Sequence, residues 1–373
     1  MKKLGLYIHI PFCARKCNYC DFYSLPYSTE AEEKYITALC HHIEAEGALY
    51  KGCVFDTAYI GGGTPSVLSP ASLEKLVNTA KTYLNLTQGG EFTIEANPCS
   101  VTEEKLLAYK SMGINRISMG VQSANDSELS CLGRLHTRSE AEHAFRLARA
   151  CGFDNISLDL MFGLPDQTLA DFERSLDFVL SLCPEHISAY GLKIEKNTPF
   201  GRAQATLALP GEDEEYSMYS TLCDTLSKNG YEQYEISNFS KKGYRARHNV
   251  KYWLAEEYVG FGPSAHSYFD GVRYYYSPDL SAYISGRVEK IREEREELTE
   301  ADKMDEYVML RLRLCDGVDM AEFESTFKKQ FLCEYAGVLD FVKSGHMVNE
   351  NGRVAFTKEG FFVSNYILSS ILH

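Results

Sequence analysis

The stretch Tyr7-Ile8-His9-Ile10-Pro11-Phe12-Cys13-Ala14-Arg15-Lys16-Cys17-Asn18-Tyr19-Cys20-Asp21-Phe22 runs from an apolar, β-type segment into three cysteines spaced CxxxCxxC. A strand that opens into a loop of thiols makes its C-terminal end the place for chemistry. A CxxC pair alone leaves zinc, redox and iron–sulfur readings open. Three thiolates at these gaps fit one loop wrapped around a cubane cluster, with one iron left without a protein ligand. That open iron resembles the free position of a catalytic metal site. Zinc calls for a fourth ligand, and the nearest candidate, His9, lies upstream in the strand. A disulfide framework is disfavoured because the other nine cysteines (Cys40, Cys53, Cys99, Cys131, Cys151, Cys183, Cys223, Cys315 and Cys333) show no paired spacing.

Outward from this loop, short β-rich runs alternate with longer amphipathic segments. Strands are read at Leu4–Ile10, Thr57–Ile60, Phe92–Ala96, Arg116–Met119, Ile156–Leu160 and His186–Leu192, with helical patterns near 31–49, 71–84, 102–112, 139–151 and 168–182. This alternation predicts βαβ units and a parallel sheet. Six units predict an α/β fold, an incomplete (β/α)6 barrel with its site at the C-terminal ends of the strands. After Leu192 come a helix near 212–229 and β-like runs at Tyr231–Ile236, Val259–Phe261 and Val272–Tyr276. The charged segment 292–306 reads as a linker to a last unit, with helices at about 300–315, 319–327, 331–344 and 359–371. Asn351-Gly352 signals a hairpin turn. Three helices and a hairpin predict a winged-helix-like domain without a basic recognition helix, suited to docking or covering a site. The expected boundaries are 1–200 for the partial barrel, 201–290 for a barrel extension and 291–373 for the C-terminal domain.

The balance of 38 basic and 52 acidic residues gives a net charge of −14, with no basic stripe of the kind a phosphate backbone needs. Nucleic acid is therefore not an expected partner. An apolar share of 45% with 25 tyrosines and 20 phenylalanines is ample for a core. The opening MKKLGLYIHIPF superficially suggests a signal peptide, but its apolar run is short, stops at Pro11 and lacks a small-residue cleavage site. It reads as a first buried strand. No stretch reaches about 18 apolar residues, so no membrane span is expected. Free thiols and an oxygen-sensitive site point to the cytoplasm.

Gly61-Gly62-Gly63-Thr64-Pro65 directly follows the second strand. Three glycines let the backbone approach a ligand closely, and exposed N–H and C=O groups can bind amino and carboxylate groups. Alone, such a triplet is equally a tight turn. Beside a cysteine loop it suits an amino acid moiety that chelates the open iron, and S-adenosylmethionine carries that fragment. With YIHIPFC, GGGTPS, TIEANP, NRISMGVQS, LGRLH, DLMFGLPDQT, HISAYGLKIE, YEISNF and HNVKYW…GFGPSAHS in this order, the chain from Tyr7 to about Tyr268 resembles the radical S-adenosylmethionine superfamily. Within it, the resemblance is to the oxygen-independent coproporphyrinogen oxidase group.

The resemblance implies that Cys13, Cys17 and Cys20 hold a 4Fe-4S cluster. It implies S-adenosylmethionine contacts from Tyr7, Phe22, Gly61, Gly62, Gly63, Thr64, Glu95, Gln122, Arg134 and Asp159. Taken singly, a Gln or Asp at a strand end is more often a cap or a solvated group. The implied reaction is reductive cleavage of the sulfonium, giving a deoxyadenosyl radical that abstracts hydrogen from substrate.

Two departures from the oxidase pattern bear on substrate. The oxidases carry a further cysteine where this chain has Phe22, and an extension of some tens of residues before the first strand. A sister group of heme chaperones, which bind heme and pass it to acceptor proteins, shares both departures. It also carries an HNxxYW motif, present here from His248 to Trp253. On that basis His248, Asn249, Tyr252 and Trp253 are candidate heme contacts: an imidazole ligand, two aromatic covers, and Arg245, Arg247 and Lys251 nearby for propionates. The structural alternative is a core histidine among core aromatics. His266 in GPSAHS is a second ligand candidate. The expected partners are heme, an acceptor such as a membrane respiratory cytochrome, and a low-potential electron donor. The competing expectations are coproporphyrinogen decarboxylation and radical chemistry on another tetrapyrrole.

Overall fold

The computed structural model describes residues 1–294 and 298–373. Six βα-type strands form as expected: β1 (Lys2–Ile10), β2 (Cys53–Gly62), β3 (Leu86–Ala96), β4 (Arg116–Gln122), β5 (Ile156–Phe162) and β6 (His186–Gly191). They pair in parallel in that order. The helices between them are α1 (Thr29–Glu46), α2 (Pro70–Tyr83), α3 (Glu103–Ser111), α4 (Arg138–Ala150) and α5 (Leu169–Leu182). Each begins just after a hydroxyl residue, Ser28, Ser69, Thr102, Thr137 or Thr168, whose side chain accepts a first-turn N–H. Such caps satisfy donors that a helix start otherwise leaves orphaned.

Past β6 the chain adds α6 (Glu212–Lys228), β7 (Asn238–Ser240), α7 (Arg247–Trp253), β8 (Tyr258–Phe261), β9 (His266–Phe269), β10 (Val272–Tyr276) and β11 (Arg292–Glu294). β7 runs antiparallel to β6, whereas β8 returns to the opposite edge and pairs in parallel with β1, Leu6 opposite Val259. The result is a twelve-stranded open sheet, β11-β10-β9-β8-β1-β2-β3-β4-β5-β6-β7 plus a two-residue strand, Glu232–Gln233. The parallel strands curve around an interior without closing on themselves.

The two faces of β1–β6 have opposite chemistry. Leu4, Leu6, Ile8, Ile60, Ile94, Ile117, Met119, Leu158 and Ile187 are fully buried toward the helices. Each contributes roughly 1.5–3 kcal/mol of burial. The alternate positions put Tyr7, Tyr59, Thr93, Glu95, Arg116, Ser118, Ser157, Asp159, His186 and Ser188 on the inner face. Their register makes cross-strand neighbours of Tyr7 and Tyr59, Thr93 and Arg116, Glu95 and Ser118, and Ser157 and His186. This polar face is why the apolar runs in the sequence were shorter than the strands: β2 and β3 extend well past Thr57–Ile60 and Phe92–Ala96.

Beyond the sheet, α8 (Glu300–Leu312) and helices at Met320–Phe327 and Val338–Lys343 accompany a hairpin, Met347–Glu350 and Arg353–Phe356, turning at Asn351 and Gly352 with φ of 52° and 75°. Three expectations change here. The charged segment 292–306 is no simple linker, since 292–294 is the sheet-edge strand β11 and 300 opens α8; 295–297 lie outside the described residues. The helices read at 331–344 and 359–371 are each split, into Phe331–Glu334 with Val338–Lys343 and Lys358–Phe362 with Ser364–Ile371. Finally, only Glu232–Gln233 of Tyr231–Ile236 joins the sheet. Residues 234–236 are drawn to the C-terminal region: Cys315 N–H donates to the Tyr234 carbonyl at 3.1 Å and Ile236 N–H to the Arg313 carbonyl at 3.0 Å.

Glu235 sits in this junction with no exposed surface. The Ser237 N–H (3.2 Å) and the Asn238 amide donate to its two carboxyl oxygens. Burial nevertheless pushes it up to about 7. A carboxyl raised in the folded state contributes its full stability below about 4.5, where both states are protonated, and loses it as pH rises toward 7. Glu235→Gln should abolish that slope. The wild type is expected to lose up to about 3 kcal/mol relative to the variant between those pH values, read by denaturant unfolding at stepped pH. A difference that stays constant across the window would refute this.

Candidate iron–sulfur and cofactor site

The cysteine loop is closed at its base. Phe12–Cys13 pairs in parallel with Leu25–Pro26, and Leu25 N–H donates to the Pro11 carbonyl at 2.8 Å. Asn18 anchors the middle of the loop: its amide donates to the Cys131 carbonyl (2.8 Å), its N–H to the Leu132 carbonyl (2.9 Å), and its own carbonyl accepts from Phe200 N–H (2.9 Å). Gly133, at φ 75°, lies under the Asn18 side chain, where a Cβ would press at 3.3 Å. Two donors face the sulfurs, Thr64 Oγ1 at 3.3 Å from Cys13 Sγ and Arg134 Nη1 at 3.5 Å from Cys17 Sγ. Burial raises the Cys20 thiol to about 11, the opposite of a redox-active thiol. Among the described residues no three metal-ligating side chains converge as one ion would need. A cluster asks for a different arrangement, each thiolate on its own iron. Thiols fixed on one loop, with a guanidinium and a hydroxyl donating to sulfur, fit such a cluster.

The glycine loop passes directly over the exit of β1. Gly63 N–H donates to the Ile10 carbonyl at 2.8 Å and Thr64 N–H to the Phe12 carbonyl at 2.7 Å. A Cβ on Gly63 would sit 2.6 Å from the Phe12 carbonyl oxygen, and one on Gly61 2.7 Å from the Tyr59 ring. Glu95 reaches up beneath this loop, accepting from Gly62 N–H (3.0 Å) and the Tyr59 hydroxyl (2.8 Å). Desolvation, with Asp159 adding repulsion, pushes Glu95 up to about 7. A carboxyl so placed is prepared for an arriving cation, such as the ammonium of an amino acid moiety. Asp159 is also raised by burial, against hydrogen bonds from Ser118 and Ser157 and the charge of Arg116. Tyr7, Tyr59, Glu95 and Asp159 all retain partly accessible surface, so the barrel is hollow at this end. Arg134 Nη2 donates to the Gly120 carbonyl at 2.6 Å, and its buried Nε has no protein partner. Gln122 adopts φ 68° at the end of β4, a conformation that costs about 1–2 kcal/mol and is characteristic of functional sites.

These residues therefore meet at one mouth: the three cysteines, Tyr7, Gly61 to Thr64, Glu95, Gln122, Arg134 and Asp159. When bound there, a cluster with S-adenosylmethionine would supply reductive one-electron chemistry; the residues described would hold, orient and shield it. Phe22 stands apart, 70% exposed. The sequence offered His9 only as a remote zinc ligand, and it offered no role for Asn97, His136 or Cys99. His9 links Tyr7 (3.0 Å) to the Tyr23 carbonyl (3.0 Å). His136, pushed down to about 4 by burial, joins Asn97 (3.2 Å) to the Val121 carbonyl (3.1 Å), tying two strand ends together. Cys99 lines a cleft with Cys17, Thr64 and Arg134, a proximity that its isolated position in the sequence hides.

The HNxxYW segment lies elsewhere. It forms α7, which closes the N-terminal end of the barrel. Glu91 of β3 accepts the N–H groups of Arg247 and His248, both at 2.8 Å. His248 is 1% exposed, with one ring nitrogen on Thr57 (2.9 Å) and the other on the Tyr252 hydroxyl (2.8 Å). Its ring stacks on Tyr59 and fits over Gly5, where a Cβ would press at 3.2 Å. Arg247 and Lys251 pair with Asp56, and Arg245 lies near Glu232 and Asp316. Asn249 and Trp253 are half-buried. Iron ligation by His248 would require one of its two hydrogen bonds to break and the ring to leave its buried stack on Tyr59, so here the core-histidine alternative describes the geometry.

The model of the Radical SAM superfamily matches residues 7–179, and that of the HemN C-terminal domain residues 298–363. Fold and mouth thus define a radical S-adenosylmethionine protein. The chain is 37% identical to the heme chaperone HemW of Bacillus subtilis over 98% of both chains, and 37% identical to that of Escherichia coli over 86% of this chain and 85% of that one. The structure of coproporphyrinogen III oxidase (HemN) from Escherichia coli superposes with a TM-score of 0.87 at 22% identity, covering 100% of this chain and 90% of that one. The chain belongs to the HemW family.

Gly63→Ala should force the glycine loop off the β1 exit and lower the iron retained per chain after anaerobic reconstitution, at a stability cost of roughly 1–3 kcal/mol. Unchanged iron content and melting temperature would contradict the close approach. His248→Ala should leave the Thr57 and Tyr252 hydroxyls unsatisfied and destabilise the protein by roughly 1–3 kcal/mol, with heme uptake preserved. Loss of heme uptake at unchanged stability would instead mark His248 as a ligand.

Proposed function

We propose that this protein is a heme chaperone that binds heme and passes it to an acceptor protein, while keeping a 4Fe-4S cluster on Cys13, Cys17 and Cys20 and S-adenosylmethionine against the glycine loop. The observation that carries this reading is end-to-end similarity at 37% identity to a protein named as a heme chaperone, against a likeness of fold alone to the oxidase. Phe22 agrees with it, standing exposed where the oxidases carry a further cysteine. Glu95 and the Arg134 guanidinium support the cofactor part, one awaiting a cation and the other facing a cluster thiolate.

No helix among the described residues is long and apolar enough to cross a membrane. Delivery to a membrane-bound acceptor would therefore proceed by docking from one side. The reading is tested on anaerobically reconstituted protein. Stoichiometric heme uptake, release to an apo-cytochrome, and no carbon dioxide from coproporphyrinogen are expected. Multiple turnovers of decarboxylation would overturn it in favour of the oxidase.

A further inference from the structure

An imidazole is one of the side chains that can ligate heme iron, and the histidine of α7 is buried. The GFGPSAHS segment carries an exposed one. Gly262 (φ 107°) and Ser264 (φ 67°) turn the chain sharply between β8 and β9. A Cβ on Gly262 would sit 2.9 Å from the His9 carbonyl oxygen, so only glycine lets this turn lie down on β1. Gly260 is likewise pressed against the His266 carbonyl, and its N–H donates to Ser267 Oγ at 2.9 Å. A serine held at positive φ is the kind of local strain that persists where the surroundings demand it. What the turn presents is His266, the first residue of β9, with its side chain exposed.

Three observations suit this ring to heme. Tyr275, its cross-strand partner on β10, stacks on it with centroids 5.0 Å apart and planes 15° from parallel. An axial imidazole stands upright on the porphyrin, so a parallel neighbour fixes its rotation much as an outer-shell partner orients a metal ligand. The turn that carries the ring also lies against the radical site: Gly262 packs on the backbone of His9, whose own ring stacks on Tyr23 of the cysteine loop. The next residue back on that loop, Phe22, offers an exposed apolar face for a macrocycle. Lys16, whose Nζ donates to the Phe22 carbonyl at 3.1 Å, offers a cation to a propionate.

We propose that His266 is the axial ligand of the carried heme, which binds at the rim between the GFGPSAHS turn and the exposed edge of the cysteine loop. The inference rests on the chaperone reading. Heme held there is next to, but outside, the cofactor mouth, and one open face remains for an acceptor's ligand to attack. Neither His248 of α7 nor that helix's paired cations take part.

The test uses cluster-reconstituted full-length protein titrated with hemin. Absorption and resonance Raman spectra report the axial ligand, and the cluster absorbance serves as a check on folding. Wild type and His248→Ala should show a histidine-ligated heme. His266→Ala should lose that signature, and His266→Cys should replace it with a thiolate-type spectrum, which a merely structural role could not produce. A histidine signature unchanged in both His266 variants would overturn the assignment while leaving the chaperone reading intact. A wild type that binds no heme would overturn the chaperone reading itself.

Discussion

The inner face of the parallel strands carries Arg116, Glu95 and Asp159, and burying one guanidinium and two carboxyls governs much of this architecture. An isolated buried charge costs far more than a single contact returns, so each must be neutralised or paired. Here Arg116, only 2% exposed, draws both carboxyls toward ionisation, while burial pushes them the other way and wins. Around them, His186 and His248 are held neutral by burial, and the serines and tyrosines between strands absorb the remaining hydrogen bonds. A barrel with this interior stays hollow and polar at one end. That is the environment a sulfonium, an ammonium and an iron cluster require.

The two ends of the barrel are then given different jobs by the same strands. At the N-terminal end α7 acts as a plug: Glu91 receives its first N–H groups, Asp56 its cations, and the Thr57–His248–Tyr252 chain its interior. At the C-terminal end β1 opens into the cysteine loop, β2 and β6 end in glycine, and β4 ends in the strained Gln122. The motif HNxxYW thus maintains the site from behind. The motif GFGPSAHS, on the strand that returns to β1, reaches the rim.

Much of this was legible in the residues. The six strands, their helices, the C-terminal helices with their hairpin and the cysteine loop follow from period, turn chemistry and spacing, which are local. Strand ends were harder because the inner residues are polar and interrupt the apolar runs; Leu86–Ala96 contains Gln88, Gly89, Gly90 and Glu91. The strand Arg292–Glu294 was hidden in a charged run, since an edge strand needs no apolar face. Cys99 and His136 carry no spacing signal, because what places Cys99 near Cys17 and Arg134, and His136 against Asn97, is the pairing of strands distant in sequence.

By itself the sequence determined the chemistry on offer: three thiols on one loop, a glycine turn after the second strand, and an α/β alternation that delivers both to the same end of a sheet. Only the tertiary structure decided which histidine is available. On paper His248 was the first heme-ligand candidate and His266 the second, each beside aromatic residues in a glycine- or asparagine-bearing motif. Folding buries the first between two hydroxyls under Tyr59 and turns the second outward over His9. Accessibility is a property of what packs around a side chain, and those neighbours come from strands that only the fold brings together.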